Sequence, residues 1–310
     1  PKHNIIDPVF LKYYLMWEKT QDLLVSMVGE GITRITLSKK MIEDLEINIP
    51  PLEEQKKIAS IISSLDYKIQ LNDEVNKTLE QIAHAIFESW FVDFEPFKDK
   101  GFEKSQLGII PKGWKVEKMA CVVPVTDGTH DSPKKRESGY RLLTSKHIKN
   151  NKVQFKEANF ISEEDFIKIN KRSKVEKFDV LITMIGTIGN TLLVQDECIN
   201  YAIKNIGLIK TSLNRGMAEF IFMYLSSDRI KNYIKTKVTG NGQPYISLGN
   251  LKDVPVVVPS ANVIDNFQKI VSKLYKKIEK NNTMNENLTS IRDKILSKLM
   301  LGEVIVKKYS

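Results

Sequence analysis

From residue 51 to residue 90 the apolar positions fall on one narrow stripe. Ile58, Ile62, Leu65 and Ile69 are spaced alternately by four and three, Asn72 and Asn76 continue the spacing, and Leu79, Ala83, Ile86 and Trp90 complete it. A stripe of about 3.5-residue period suits helix-on-helix packing. Forty residues in a helix span roughly 60 Å, more than the ~34 Å of one turn of duplex DNA. The pattern then returns 209 residues later without a gap: Phe267, Val271, Leu274, Ile278, Asn281, Asn285, Leu288, Arg292, Ile295 and Leu299. Its lead-in returns too, with Asp44, Leu45 and Pro50 matched by Asp253, Val254 and Pro259. Two independent amphipathic helices, each packed on its own domain, are the plainer alternative. The shared interruption by Asn favours a pair, because a polar residue in an apolar seam fixes register at some cost in stability. If the copies pair antiparallel about a twofold, Asn72 lies near Asn285 and Asn76 near Asn281.

Between the two helices the pattern changes. Short apolar runs at 118–125, 178–185, 191–194 and 206–210, with another at 254–258, alternate with polar turns, and helical spacing appears at 162–170 and 217–233. The reading is an α+β fold with strands dominating, one globular domain plus two long helices forming an antiparallel coiled coil as a pseudo-twofold repeat. The expected organisation is a remnant at 1–34, a lead-in and first long helix at 35–92, a linker at 93–114, the globular domain at 115–259, and a second long helix at 260–310. The remnant follows from Phe10-Leu11 and Tyr14-Leu15, which match Phe220-Ile221 and Tyr224-Leu225, and from Gly29, Glu30 and Gly31, which match Gly240, Asn241 and Gly242. Residues 35–50 read as strand and turn, ending at Pro50-Pro51 before a helix with Glu53 and Glu54 in its first turn. The Pro- and Gly-rich stretch 93–114 reads as an ordered linker rather than a core element. The basic tail 301–310 could add a strand.

Charge changes the picture. The net charge is +9, yet residues 104–250 alone carry 24 Lys and Arg against 14 Asp and Glu, a surplus of ten. The helices are near balance, so an anionic partner would meet the globular domain. Clusters stand at Lys134-Lys135-Arg136, at Lys146-His147 with Lys149 and Lys152, from Lys168 to Lys177, and at Arg229, Lys231, Lys235 and Lys237. Lysine and arginine on phosphates release condensed counterions whatever the sequence; base edges need other groups. Asp127, Thr129, His130, Arg141, Asn241 and Gln243 stand in polar, Gly-flanked stretches and are candidate readers. Lys134, Lys135, Arg136, Lys146 and Lys149 are candidate phosphate contacts.

Other chemistry is missing. No Walker A loop is present; Gly186-Thr187-Ile188-Gly189-Asn190 reads as a turn between strands. No Asn-Pro-Pro-aromatic tetrapeptide marks an amino-methyltransferase. The acidic-X-Lys triplets Glu54-Gln55-Lys56 and Asp66-Tyr67-Lys68 fall on a helix, away from the strand that a nuclease metal site wants. Asp127 to Asp131 carries metal-capable groups but reads as a turn, and no metal or cofactor is expected. Two cysteines, Cys121 and Cys198, give no framework and suggest a reduced cytoplasmic protein. No run of 18 apolar residues and no signal peptide is seen.

The motifs carry a resemblance. The stretch from Ile47 to Ile69, then 80–97, then LGIIPKGWKV at 107–116, resemble the conserved regions of type I restriction–modification specificity subunits. ISLGNLKDVPVVVP at 246–259 and the helix ending IRDKILSKLMLGEV are similar to the second conserved region. The resemblance covers roughly 120 residues, and 115–259 takes the place of a target-recognition domain. It implies two such domains joined by antiparallel helices, each reading half of a split double-stranded DNA sequence while the helices gauge the unread spacer. It implies a non-catalytic subunit that recruits adenine-methylating modification subunits and, through them, restriction subunits. A first recognition domain reduced to 1–34 would leave the second to come from another copy, a homodimer through the helices. The rivals are a stand-alone homodimeric DNA-binding protein and a structural coiled coil.

Overall fold

The computed structural model describes residues 4–27, 38–47, 49–149, 151–240 and 242–303. The chain divides into two compact units, Pro1–Leu79 with Lys277–Ser310, and Glu80–Lys276. The first unit opens with α1 (Pro8–Met16), which begins where Asp7 accepts from the amides of Val9 and Phe10, both at 2.9 Å, with Pro8 in the first turn. α2 (Glu18–Ser26) and α3 (Lys39–Glu43) follow. The strand expected in 35–50 is not found among its described residues. Ser38 accepts from the Met41 amide at 3.2 Å and starts α3 instead. Residues 35–37, like Gly29, Glu30 and Gly31, lie outside the described residues.

α4 (Leu52–Phe91) and α10 (Ala261–Met300) are the two long helices, each of 40 residues. In the first unit they run antiparallel, Ile58 and Ile62 packing with Leu296 and Leu299 around Phe10, Tyr13 and Trp17. Burying such side chains contributes about 1.5–3 kcal/mol each, and this cluster docks α1. In the second unit Phe87, Trp90 and Phe91 meet Phe267 of α10 and Phe87 and Phe91 also meet Phe220. The two clusters are repeats of one another, with Phe10, Ile58 and Leu299 standing where Phe220, Phe267 and Trp90 stand. Both depart from the heptad in the same way: Phe87 and Leu296 are buried, while Ile86 and Ile295 are only half-buried. The seam widens at these ends because a third helix packs there.

The second unit begins after α4. A 3₁₀ turn (Glu95–Lys100) leads to the hairpin β1 (Phe102–Ser105) and β2 (Gly108–Pro111). The segment expected as a linker is part of the core: Phe94, Phe97 and Trp114 are buried, Phe94 and Phe97 both meet Trp114, and Trp90 meets Phe97. Then come β3 (Lys115–Lys118), α5 (Met119–Val122), β4 (Val125–Asp127), β5 (Tyr140–Leu143), β6 (Ile148–Lys149), β7 (Lys152–Val153) and β8 (Asn159–Ile161). The apolar run 118–125 is thus a short helix between two strands rather than one strand.

α6 (Glu163–Ser173) starts at Ser162, whose hydroxyl accepts from the Asp165 amide at 3.2 Å. β9 (Val180–Thr183), β10 (Thr191–Leu193), β11 (Tyr201–Ile203) and β12 (Ile206–Ile209) supply the centre. The expected helix at 217–233 is two, α7 (Ala218–Ser226) and α8 (Asp228–Thr236), broken at Ser227 where the backbone is extended. α9 (Leu248–Lys252) and β13 (Pro255–Val258) lead into α10. Four strands form an antiparallel sheet in the order β10-β9-β12-β4, and three form another, β11-β5-β8, with β11 and β5 parallel. Leu181, Leu208, Ile203 and Leu143 belong to one core. Gly186 and Gly189 take φ of 74° and 87° in the turn between β9 and β10, a conformation that suits glycine.

Candidate nucleic-acid interface

In the first unit the asparagines meet. Asn72 Nδ2 donates to Asn285 Oδ1 at 2.8 Å, and Asn281 Nδ2 donates to Asn76 Oδ1 at 2.7 Å. The 209-residue offset carries one bond onto the other. The next pair follows the same rule: Asn76 Nδ2 donates to Asn282 at 3.0 Å and Asn285 Nδ2 donates to Asp73 at 3.1 Å. Asn72, Asn76 and Asn281 are buried. A buried amide left unpaired costs about 1–3 kcal/mol, so sliding either helix would break several bonds together.

Towards α1 the seam carries charge. Asp66 accepts from Arg292 Nη1 at 2.8 Å and from the Tyr13 hydroxyl at 2.7 Å. Burial acts to raise the Asp66 carboxyl, but the bonds from Arg292 and Tyr13 outweigh it and hold it below its usual range. Burial, then the bond to Asp66, pushes the Tyr13 hydroxyl up. Each acidic-X-Lys triplet therefore contributes a side chain with a structural role. Asp66 is paired, and Gln55 is buried, accepting from the Asp7 amide at 2.8 Å and donating to the Ile5 and Pro50 carbonyls at 3.0 and 2.8 Å. Among the described residues no group of His, Cys, Asp and Glu is gathered to hold a metal ion.

In the second unit the loop after β4 is held against the turn between β11 and β12. The Gly128 and Thr129 amides donate to Ile206 and Ile203 carbonyls at 2.9 and 3.0 Å, and the Asn205 amide donates to the Thr129 carbonyl at 3.1 Å. A Cβ on Gly128 would stand 2.3 Å from the Ile203 oxygen, so only glycine passes here. Asp127, just before it, is 2% exposed; it accepts from Arg172 of α6, and its Oδ2 lies 3.0 Å from His130 Nε2. His130 Nδ1 faces Asn205 Oδ1 at 2.8 Å. Beside this group is an open cleft of about 520 Å³ lined by Thr129, Lys134, Arg136, Lys168 and Arg172, with Asp131, Glu164 and Asp165 among them. Lys168 lies 3.5 Å from Asp131.

The other candidates are elsewhere. Arg141 turns inward: Nη1 donates to the Phe155 carbonyl and, at 3.1 Å, to that of Ala158, while its guanidinium covers Phe160. Lys135, Lys146 and Lys149 are exposed without lining the cleft, and Lys149 lies 3.8 Å from Glu157. Gln243 is exposed in the turn closed by Thr239 and Tyr245, whose amides and carbonyls pair at 2.9 Å. Asn241 lies outside the described residues, as do 304–310 of the tail. His147, grouped by sequence with its basic neighbours, is buried: Nδ1 accepts from the Thr144 amide at 2.9 Å and Nε2 faces the Glu157 carbonyl at 3.2 Å. Burial, then the charges of Lys146 and Lys149, lower its pKa. Sequence reasoning missed Arg172 and Asn205 as partners of the Asp127 loop, 45 and 75 residues from the groups they meet.

Two long helices built on one repeated sequence and bonded in one register, together with a basic α+β domain, are the parts of a DNA-specificity protein. The chain belongs to the family of the Type I restriction modification DNA specificity domain, whose profile matches residues 1–81 and 111–290. The MjaIX specificity subunit of Methanocaldococcus jannaschii, a type I restriction enzyme subunit, is 27% identical over 99% of this chain and 71% of its own length. The HindI specificity subunit of Haemophilus influenzae is 24% identical over 98% of this chain and 79% of its own. The crystal structure of the type I restriction–modification S subunit from M. genitalium shares the fold, with a TM-score of 0.55 and 19% identity over 99% of this chain and 75% of that one. Specificity subunits are the non-catalytic, sequence-recognising members of restriction–modification complexes, acting with DNA and with methylase and restriction subunits. Recognition of DNA within such a complex is the function of this chain, and the stand-alone alternative is not favoured. Among the described residues no helix is long and apolar enough to cross a membrane.

Proposed function

We propose that residues 115–259 read one half of a split duplex sequence and that α4 and α10 set the distance to the other half. The observation that carries this reading is the asparagine network, in which two symmetric hydrogen bonds hold the helices in one register. A gauge must not slide, and polar seam residues are the means by which helix pairs resist sliding. The surplus of basic residues in 104–250 supplies the sequence-independent attraction to phosphates. On this reading the chain works in the cytoplasm, recruits adenine-methylating modification subunits and, through them, restriction subunits, and a second copy joined through the helices supplies the other half-reader. Sedimentation of the full chain with and without a duplex tests both parts. Two chains per duplex are expected at low salt. One chain per duplex removes the second copy, and no complex at low salt removes DNA reading by this chain.

A further inference from the structure

We propose that Arg172 reads a base and that Asp127 is the positioning residue that aims it. The proposal rests on the reading of 115–259 as the DNA-recognising domain. Asp127 is a carboxylate withdrawn from water, 2% exposed, at the end of β4. A buried charge has to be paired, and both of its partners are exposed groups: the side chain of Arg172 is 56% exposed and that of His130 is 66% exposed. A buried ion pair is weak support for stability, since apolar packing does as well or better. What it does supply is direction. The backbone that carries the carboxylate is fixed, because Asp127 is in register with Gly207 of β12 and the next two amides are bonded to Ile206 and Ile203. His130 is held from its other side by Asn205, which takes a left-handed φ of 54°.

Arg172 meets Asp127 through Nη2. The rest of its fork is left at the wall of the cleft that Lys134, Arg136 and Lys168 also line. Arginine presented in this way matches the O6 and N7 acceptors of guanine in the major groove, and a side chain fixed before binding loses less freedom on binding. The cleft is also not a plain phosphate track. Asp131, Glu164 and Asp165 stand among its cations; carboxylates repel phosphates but can accept from cytosine N4. The target of Arg172 is therefore a G·C pair, and Lys134 is one of the phosphate contacts beside it.

The test uses the full chain, selected on a duplex library with randomised positions, followed by affinities for the selected duplex and its single-base variants at two salt concentrations. Arg172→Lys keeps the charge and removes the fork. Discrimination is expected to fall about tenfold or more at one G·C position, with salt dependence unchanged. Asp127→Asn should lose discrimination at that same position, although Asp127 touches no base. The double change Lys134→Ala and Lys135→Ala should weaken all sequences alike and flatten the salt dependence. Should Asp127→Asn fail to fold, Arg172→Lys on the exposed side of the pair still decides. If Arg172→Lys leaves every position as discriminating as before while the lysine changes weaken binding, Arg172 is no reader. If it weakens all sequences alike, it is a phosphate contact. If none of the changes alters binding, the cleft is not the DNA surface; the reading of the domain itself fails only if the full chain selects no sequence from the library.

Discussion

Asp66 shows how much one position can differ from its repeat. The residue 209 positions on is Tyr275, and the position matching Arg292 is Ala83, so the Asp66–Arg292 pair belongs to one end of the helix pair alone. Both side chains are about three-quarters withdrawn from solvent. Asp66→Asn should cost about 1.5–3 kcal/mol at neutral pH, the worth of hydrogen bonds to a charged group, read by urea unfolding. The pH sign follows from its lowered folded pKa. The stabilisation is present above the unfolded value of about 4 and is lost as pH falls through the lower folded value. The variant should therefore show a shallower loss of stability below about pH 4 than the parent. An equal loss in both would mean that the pair contributes nothing. The same scale explains why the cleft was only half legible. Asp127 and His130 sit three residues apart in one polar stretch, yet the first is buried and the second exposed. Only the strand pairing with Gly207 decides that, and no local pattern carries it.

The long helices were the most legible elements, because an ungapped copy of 40 residues is independent of tertiary context. Their central register was legible for the same reason: Asn72, Asn76, Asn281 and Asn285 interrupt both copies at matched places. What could not be read was how the ends are finished. Phe87 and Leu296 leave the heptad to meet a third helix, and α3 forms in the stretch expected as strand and turn because Ser38 caps a helical turn. The segment 93–114 looked like a linker, since its Pro and Gly content hides three aromatic residues that anchor it. Replacing the four asparagines by leucine tests the role of the register. Apolar seams are more stable but less particular, so thermal stability should hold or rise while methylation by the assembled complex spreads to more than one spacer length. A single unchanged spacer would show that the asparagines do not set it.

At the scale of the molecule, the division of labour is between a repeated helix pair and a basic domain. Repetition and charge surplus were both visible in the chain, and with the motifs around them they carried the functional class. The proposed reading surface was not, because it is assembled from β4, α6 and the turn after β11, which only the folded sheets bring together. The claim that joins the two scales is that 115–259 chooses bases while the helices choose spacing. Mapping methylated adenines across a genome in cells carrying this chain and its modification subunits tests it most directly, before and after 115–259 is exchanged for the matching domain of the Haemophilus influenzae relative. The expected result is a split methylated sequence in which the exchange replaces the half-sequence read by that domain and leaves the number of unread base pairs the same. A methylated sequence that survives the exchange unaltered would show that 115–259 does not choose the bases, and a spacer that changes with it would show that the helices do not set the spacing.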